Sequence, residues 1–275
     1  MGAGEGIMTP YYETELGKLY HGDCLEIMPR LEPVDLVVTS PPYDNLRDYE
    51  GYVFDFEKTA TCLYEKIKDG GVVVWVVGDE TINFCETLTS FKQAIYFVEN
   101  CKFKLLDTMI YHKSNYAPAY PTLRRYASTF EYMFILCKNK PKTFNPIQVE
   151  KATVSTKQRL GKYRKKNGSF VEKSMLVDTG RTTKDAENLW TICPTKSADA
   201  ENHPAVFPEQ LVQDHILSWS NEGDIVADIM AGSGTTLKQA EKLNRRWIGI
   251  EIEEKYCEIA AKRIEKERSQ LKLWN

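Results

Sequence analysis

The chain has 275 residues and a net charge of −3, and its 42% hydrophobic and 27% charged content is ordinary for a globular protein with one α/β core. Purely apolar runs such as 72–77 are too short to cross a bilayer, and no charged segment followed by an apolar stretch opens the chain. We therefore expect neither a membrane span nor a signal peptide.

The cysteines and histidines argue against a disulfide scaffold and against a metal-binding protein. The seven cysteines are scattered and never spaced C-x-x-C, which favours a reducing compartment over a disulfide scaffold. The four histidines show no metal-ligand spacing. The sequence therefore predicts no metal site.

Hydrophobic periodicity predicts alternating strands and helices along the first half of the chain. Strand, short helix and strand are expected over 17–43, then a helix that ends at Gly70-Gly71 and a buried strand. A helix is expected over 81–100, followed by two strands over 104–113 and 131–139.

From about 140 to 190 the periodicity fades, which predicts a loop-rich insert. Residues 151–184 contain ten Lys or Arg and two acidic residues, a net charge of +8 within an otherwise acidic chain. Such a short basic segment on an acidic body favours a local contact with a polyanion, although most charge runs are solvated loops.

After the insert, a helix is expected over 207–220, then strand, glycine turn and helix over 224–243, and a strand and closing helix over 245–273. Alternating strands and helices are typical of an α/β fold with an open, mostly parallel, doubly wound sheet. We predict boundaries at 9–140, 141–190 and 191–275, with the first and last segments in one domain.

Two consecutive prolines, Pro41 and Pro42, follow the apolar strand that leads to Ser40. Proline cannot donate to a sheet ladder, so the pair ends the strand in a stiff turn that holds Ser40 and Tyr43 in fixed places. By itself this turn is either a plain strand terminator or a functional site.

The stretch ADIMAGSGTT at 227–236 leaves a strand and opens a helix. Its glycines permit a tight turn, and the helix N-terminus offers free N–H groups. A Walker loop is excluded because Gly234 is followed by Thr235 rather than lysine. Glu251 ends the next strand, where a carboxylate can bind ribose hydroxyls. The turn alone could simply pack a helix on a strand, but with Glu251 it favours a ribose-bearing ligand.

Three segments together resemble the amino-methylating DNA methyltransferases that use S-adenosylmethionine. VTSPPY at 38–43 is similar to the family's catalytic tetrapeptide, and DIMAGSGTT at 228–236 to its cofactor loop. NHPAVFPEQL at 202–211 is similar to the segment that precedes this loop. The chain departs from the family at Ile229 and Met230, where Pro and Phe are usual.

The order of these motifs, tetrapeptide first and cofactor loop last, matches the family's beta arrangement. The resemblance implies a Rossmann-like class I methyltransferase fold that is circularly permuted. Because only one helix follows Glu251, we expect N-terminal strands to complete the sheet of the C-terminal half. The family places its target-recognition elements in a region such as 141–190.

By resemblance, the tetrapeptide Ser40, Pro41, Pro42 and Tyr43 is catalytic. The Ser40 hydroxyl and the Pro41 carbonyl would accept hydrogen bonds from an exocyclic amine and direct its lone pair toward the methyl group. Tyr43 would stack on an extruded base. Serine in the first position favours cytosine-N4 methylation, and adenine-N6 methylation is the alternative. Transfer is direct, and Cys193 is expected to be an ordinary small residue.

The resemblance also implies how the cofactor is held. Asp23 would reach the adenine amino group, Glu251 the ribose, and Asp228 with the 232–236 turn the methionine part. The full set of expected S-adenosylmethionine-binding residues is Asp23, Thr39, His203, Pro204, Phe207, Pro208, Asp228, Met230, Ala231, Gly232, Ser233, Gly234, Thr235, Thr236 and Glu251.

The expected macromolecular partner is double-stranded DNA. Candidate DNA-binding residues lie after the tetrapeptide and in the basic segment, and they are Arg47, Tyr49, Lys157, Arg159, Lys162, Arg164, Lys165 and Lys166. The resemblance implies a cytoplasmic prokaryotic or phage-encoded enzyme, and it leaves open a homodimer and a cognate restriction endonuclease. Two rival functions also fit the motifs: methylation of RNA or of protein glutamine, and nucleotide binding without catalysis.

Overall fold

The predicted strands come together in a single nine-stranded sheet. The computed structural model describes residues 8–42, 54–115, 125–150, 162–172, 182–194 and 207–272, the side chains of 162–164, 171–172 and 271–272 excepted. The strands are β1 (Tyr12–Glu13), β2 (Gly17–His21), β3 (Val34–Thr39), β4 (Ile67–Val77), β5 (Thr81–Ile82), β6 (Cys85–Glu86), β7 (Lys104–Lys113), β8 (Phe130–Cys137), β9 (Gln148–Glu150), β10 (Lys162–Arg164), β11 (Phe170–Glu172), β12 (Thr183–Asp185), β13 (Leu189–Ile192), β14 (Ile225–Asp228) and β15 (Arg246–Glu251). The helices are α1 (Cys24–Ile27), α2 (Phe56–Lys66), α3 (Thr89–Glu99), α4 (Glu209–Trp219), α5 (Thr235–Lys242) and α6 (Glu254–Lys272).

The large sheet has the order β1-β2-β15-β14-β3-β4-β8-β7-β13. Neighbouring strands from β2 to β4 in this order are parallel, and β8 is antiparallel to both of its neighbours. The predicted open, mostly parallel sheet is therefore confirmed. The late strand β14 lies between β15 and the early strand β3, with Ala227 opposite Val37. N-terminal and C-terminal residues thus share one sheet.

Both faces of the sheet are covered, which explains why its central strands are apolar throughout. All six residues of β3 are buried. On one face, Val37 belongs to a core cluster with Trp75 and Phe97. On the other, Val38 belongs to a cluster with Trp247. A strand covered on two faces has no polar side to present, in contrast to the alternating pattern of a one-sided sheet.

Two of the predicted elements differ from the observed ones. The predicted helix end at Gly70-Gly71 is wrong, because α2 ends at Lys66 and both glycines lie in β4. Gly70 has φ +74 and pairs with the Lys138 carbonyl through its N–H at 2.8 Å, so the glycine serves an irregular strand rather than a helix cap. Residues 81–86, predicted as helix, form the β5–β6 hairpin, and α3 begins only at Thr89.

Residues Pro146–Glu187 form a compact unit separate from Met1–Asn145 and Asn188–Asn275. We call Pro146–Glu187 the basic unit, and the other two ranges together the catalytic unit, because they contain the predicted catalytic tetrapeptide. Within the basic unit, β9 pairs with β12 and β10 with β11, both antiparallel. The division lies close to the predicted boundaries at 141 and 190, which themselves remain predictions.

Among the described residues, no helix is both long and apolar enough to pass through a membrane. The same part of the chain contains no group of three or more His, Cys, Asp or Glu arranged to hold a metal ion.

Candidate active site

The predicted functional residues of the catalytic unit follow the carboxyl ends of parallel strands. Ser40 follows β3, Asp228 ends β14, Glu251 ends β15, and Asp23 comes two residues after β2. Because these strands are parallel neighbours, their carboxyl ends lie along one edge of the sheet. Residues that are distant in sequence are thereby brought together at this edge.

The end of β3 is fixed to the end of β14 by a buried hydrogen bond. The Thr39 hydroxyl donates to Asp228 Oδ1 at 2.8 Å, and the Thr236 hydroxyl donates to the Val38 carbonyl at 3.3 Å. Thr39 is fully buried, so its position one residue before Ser40 makes it a link between two segments. The predicted contact of Thr39 with the cofactor stays a prediction.

The first three residues of the tetrapeptide lie just beyond that link. Ser40 and Pro42 are partly buried and Pro41 is buried. Tyr43 lies outside the described residues. Ser40 thus directly follows a strand end that is held by side chains of β14 and α5, which limits how far its backbone can move.

The glycine turn between β14 and α5 requires its glycines. Gly232 has φ +51 and Gly234 has φ +75, in the left-handed region that side chains disfavour. A Cβ on Gly234 would also lie 2.6 Å from the Cβ of Ala260 on α6. Gly234 is the N-cap of α5, so the turn brings the first N–H groups of this helix to the sheet edge.

Asp228 is buried, and two features of its surroundings shift its pKa in opposite directions. Burial raises its pKa to about 6, while hydrogen bonds from the Thr39 hydroxyl and from the Met230 N–H favour the charged form and limit the rise. A carboxylate that is poorly solvated but still ionised at neutral pH attracts a cation strongly.

Glu251 supports the turn from the neighbouring strand. Its Oε2 accepts from the Gly232 N–H at 2.7 Å, and its Oε1 accepts from the Glu253 N–H at 2.9 Å. Burial raises the pKa of Glu251, and the nearby charge of Asp228 adds to the rise. Each carboxylate oxygen can accept a further hydrogen bond, which suits a ligand that brings hydroxyl donors.

Asp23 caps a helix in this structure. Its Oδ1 accepts from the Leu25 N–H at 2.8 Å and so begins α1. The Gly22 N–H donates to the Glu251 carbonyl at 2.9 Å, which holds the start of α1 next to the end of β15. The predicted contact of Asp23 with adenine stays a prediction.

The remaining predicted cofactor residues are placed as follows. Phe207 is half-buried against the core cluster of Trp247, and Pro208 is buried as the N-cap of α4. Ala231, Ser233 and Thr235 are buried. Met230 packs against the other core cluster. His203 and Pro204 lie outside the described residues.

Of the predicted DNA-binding residues, Lys165 and Lys166 are exposed in the turn between β10 and β11. Lys162 and Arg164 are in β10, where only the backbone is described. Arg47, Tyr49, Lys157 and Arg159 lie outside the described residues.

Two charged residues beside the glycine turn were not predicted from the sequence, Arg263 on α6 and Glu209 at the start of α4. Arg263 Nη1 donates to the Ser233 carbonyl at 2.7 Å, and Nη2 donates to Glu209 Oε1 at 3.3 Å. A signal was available, because Arg263 follows Cys257 and Ala260 at spacings of three residues on the buried face of α6.

These residues suit S-adenosylmethionine, which carries a sulfonium, an ammonium group and ribose hydroxyls. Two buried carboxylates, Asp228 and Glu251, can attract its positive charges and accept from its hydroxyls. Gly232 has no Cβ to separate the backbone of the turn from a ligand. The observed donor and acceptor set therefore fits the cofactor that the sequence motifs imply.

Comparisons with known proteins match most of the chain. Residues 34–262 match the N6/N4 methyltransferase family, described as DNA methylase. The chain is 48% identical over 253 residues to the orphan methyltransferase M.BamHII of Bacillus amyloliquefaciens, covering 88% of this chain and 90% of that protein.

Solved structures share the fold. The PvuII DNA methyltransferase (cytosine-N4-specific) aligns with a TM-score of 0.70 and 22% identity, covering 94% of this chain and 93% of its own. The M1.HpyAVI–SAM complex aligns with a TM-score of 0.59 and 22% identity, covering 90% and 98%. The family match and the 48% identical relative show the family directly. The chain therefore belongs to the N6/N4 DNA methylase family, and it is a site-specific DNA methyltransferase that uses S-adenosylmethionine.

Proposed function

We propose that this enzyme methylates the exocyclic N4 amine of cytosine in duplex DNA. The observation that carries methyl transfer at Ser40 is the Thr39–Asp228 hydrogen bond of 2.8 Å, which joins the strand before Ser40 to the strand before the glycine turn. A methyl acceptor at Ser40 and a methyl donor at the turn would then be neighbours in a fixed geometry, as direct transfer requires. The serine in the first position of the tetrapeptide favours cytosine over adenine.

Ser40 is the proposed catalytic residue that decides which base is accepted. Its hydroxyl and the Pro41 carbonyl accept hydrogen bonds from the amine and free the nitrogen lone pair from the ring. S-adenosylmethionine supplies the methyl group from its sulfonium and leaves as a neutral thioether. The N–C bond forms as the S–C bond breaks, so no covalent bond to the protein is needed, and the methylated nitrogen loses one proton to water.

The proposed cofactor site uses the groups described above. Asp228 binds the ammonium of the methionine part, Glu251 accepts from the ribose hydroxyls, and the N–H groups of the 232–236 turn face the cofactor. Asp23 reaches the adenine, and residues 203–208 form the other wall. Burial of both carboxylates supports this assignment, because a cation bound there has little competing water.

We further propose that the chain has the circularly permuted beta arrangement with a Ser-Pro-Pro-Tyr tetrapeptide. The position of β14 between β15 and β3 supports it. The basic unit is the proposed target-recognition region, with Lys165 and Lys166 binding phosphates and Tyr43 stacking on the extruded base. The proposed setting is the cytoplasm of a prokaryotic host.

Nucleoside analysis tests the choice of base. Unmethylated duplex DNA is treated with the purified protein and labelled S-adenosylmethionine, then hydrolysed and separated by chromatography with mass detection. We expect N4-methylcytosine. If N6-methyladenine alone appears, the adenine-N6 alternative is correct. If a parallel reaction labels RNA while the DNA stays unlabelled, both choices are excluded.

The Ser40→Ala variant tests the site. Loss of one acceptor for the reacting amine lowers kcat by about 100-fold, whereas the Kd for S-adenosylmethionine stays within about threefold of wild type. Single-turnover methyl transfer and calorimetric titration measure the two quantities. An unchanged kcat would remove Ser40 from the catalytic set.

A further inference from the structure

We infer that Arg263 is a positioning residue for the cofactor turn. Its side chain is 1% exposed, so it lies behind the turn and acts only through other residues. The inference rests on the proposed cofactor site and adds to it a residue that no sequence motif marks.

The guanidinium of Arg263 binds the turn at three atoms. Nη1 donates to the Ser233 carbonyl at 2.7 Å, to the Ser233 hydroxyl at 3.0 Å and to the Thr235 hydroxyl at 3.0 Å. Ser233 and Thr235 flank Gly234, the residue with φ +75. Arg263 therefore holds the residues on both sides of the left-handed position.

This placement is not explained by helix stability alone. Thr235 begins α5, and the N-terminus of a helix carries partial positive charge, so a cation there is unfavourable. A buried guanidinium also loses its hydration. Hydrogen bonds to the turn and the nearby carboxylate of Glu209 compensate for this, at 3.3 Å from Nη2 to Oε1. The arrangement is explained if the role of Arg263 is to fix the conformation of the turn.

Glu209 extends the same network to α4. Its two oxygens accept from Lys238 at 2.9 Å and from Gln239 at 3.0 Å, and both donors lie on α5. Glu209 comes directly after Pro208, in the proposed second wall of the cofactor pocket. Arg263 thus connects the turn, α6 and the start of α4. It thereby fixes the distance between the two proposed walls of the cofactor pocket.

Helix α6 supports the turn over two further helical turns. Ala260, three residues before Arg263, lies against Gly234, and the Cys257 thiol donates to the Glu251 carbonyl at 3.7 Å. One face of α6 therefore contacts both the glycine turn and the strand end that carries Glu251. Loss of Arg263 removes the polar part of this support and leaves the packing contacts in place.

The experiment compares Arg263→Met and Arg263→Lys with a matched control, Arg245→Met. Arg245 is likewise buried and donates to backbone carbonyls at Ser220 and Leu243, at the opposite edge of the sheet. For each variant we measure the Tm without ligand, the Kd for S-adenosylmethionine by calorimetry, and KM for S-adenosylmethionine and kcat with saturating DNA.

We expect Arg263→Met to raise the Kd and the KM for S-adenosylmethionine by about tenfold or more, with kcat at saturation within about threefold of wild type. Arg263→Lys recovers part of the affinity, since it retains the charge and a donor. Arg245→Met lowers the Tm without changing the Kd. A wild-type Kd in the Arg263 variants, or an equal rise of Kd in Arg245→Met, overturns the inference.

Two additional variants separate this inference from the cofactor site on which it rests. If Glu251→Ala leaves the Kd unchanged, the proposed cofactor site is wrong. If Glu251→Ala weakens binding but Arg263→Met binds as wild type does, only the positioning role is wrong. Should Arg263→Met fail to fold, Arg263→Lys and Glu209→Gln replace it, because each keeps the volume of the side chain and removes part of the network. A wild-type Kd in both variants would then overturn the inference.

Discussion

The glycine turn and the basic unit hold their functional groups in opposite ways. At the turn, Asp228 and Glu251 are buried, and each is fixed by side-chain or backbone donors. In the basic unit, Lys165 and Lys166 are exposed on a short hairpin whose strands have three residues each. The first region can select one small ligand by shape and charge, whereas the second offers charge to an extended one.

We attribute this difference to the two kinds of ligand that we propose for these regions, a small cofactor at the turn and DNA at the basic unit. A small cofactor is the same molecule in every turnover, so the residues that contact it need a fixed geometry. DNA phosphates repeat along the duplex and are bound mainly through charge, which tolerates variation in the exact position of a lysine. We therefore expect changes in the two regions to separate cofactor binding from DNA binding.

Removal of the basic unit should give the largest effect. Residues 146–187 are replaced by a short Gly-Ser linker between Asn145 and Asn188. The unit's own ends are adjacent, because the Ala186 N–H donates to the Ile147 carbonyl at 2.7 Å. We expect methyl transfer to DNA to fall by about 1,000-fold or more, since the several phosphate contacts that we propose for this unit would be lost together.

Binding of S-adenosylmethionine by the same variant serves as its control. The flanking residues are anchored within the catalytic unit, where the Asn145 N–H donates to Ser218 and the Ile110 N–H donates to Asn188, both at 2.8 Å. Calorimetry should give a Kd within about threefold of wild type. If methyl transfer persists, or if cofactor affinity falls with it, the two regions are not separable as proposed.

An effect of intermediate size is expected for Asp228→Asn. Loss of the charge that we propose binds the ammonium should raise the Kd for S-adenosylmethionine at pH 7.5 by about 10- to 100-fold. In wild type the pKa of Asp228 is raised to about 6, so affinity should fall as the pH drops from 7 to 5 and approach a tenfold loss per pH unit below 6. The variant should show no such dependence from this group.

Stability should respond to the same change with the opposite sign. The pKa of Asp228 is raised in the folded state from 3.8 to about 6, so its ionisation opposes folding increasingly as the pH rises from 4 to 6, by roughly 3 kcal/mol at most. Without ligand, Asp228→Asn should therefore gain stability over wild type at pH 7.5, and the gain should vanish near pH 4. Asp35→Asn, at the amino end of β3, is a matched control that should leave the Kd unchanged. If the stability of Asp228→Asn and of wild type depended on pH in the same way, the raised pKa of Asp228 would be contradicted.

What could be predicted from the sequence follows the same division. The strand that leads to Ser40 and the glycine turn were predictable, because prolines, glycines and apolar runs act locally on the backbone. Arg263 escaped prediction, since a cation within a charged helix is normally solvated and only the fold brings it beneath Ser233. The β5–β6 hairpin was missed because its pairing is between residues whose pattern also fits a helix. In the basic unit, composition predicted the charge but not the hairpin.

The smallest effect is expected for Lys166→Ala at the tip of the β10–β11 hairpin. The turn itself should persist, because it is closed by the Gly168 N–H to the Lys165 carbonyl at 2.9 Å and by Asn167 Oδ1, which accepts from the Ser169 N–H. Loss of one phosphate contact should weaken DNA binding by about three- to tenfold for all sequences alike and reduce the slope of log K against log salt by about 0.9. Fluorescence anisotropy with a short duplex at several salt concentrations measures both quantities.

Lys242→Ala is the control. It removes an exposed lysine at the end of α5, away from the sheet edge with the active site, and should change neither the DNA affinity nor the slope. Equal slopes for wild type and Lys166→Ala would show that the hairpin tip does not bind phosphate, whereas a loss of sequence preference without a change in slope would indicate that Lys166 contacts a base.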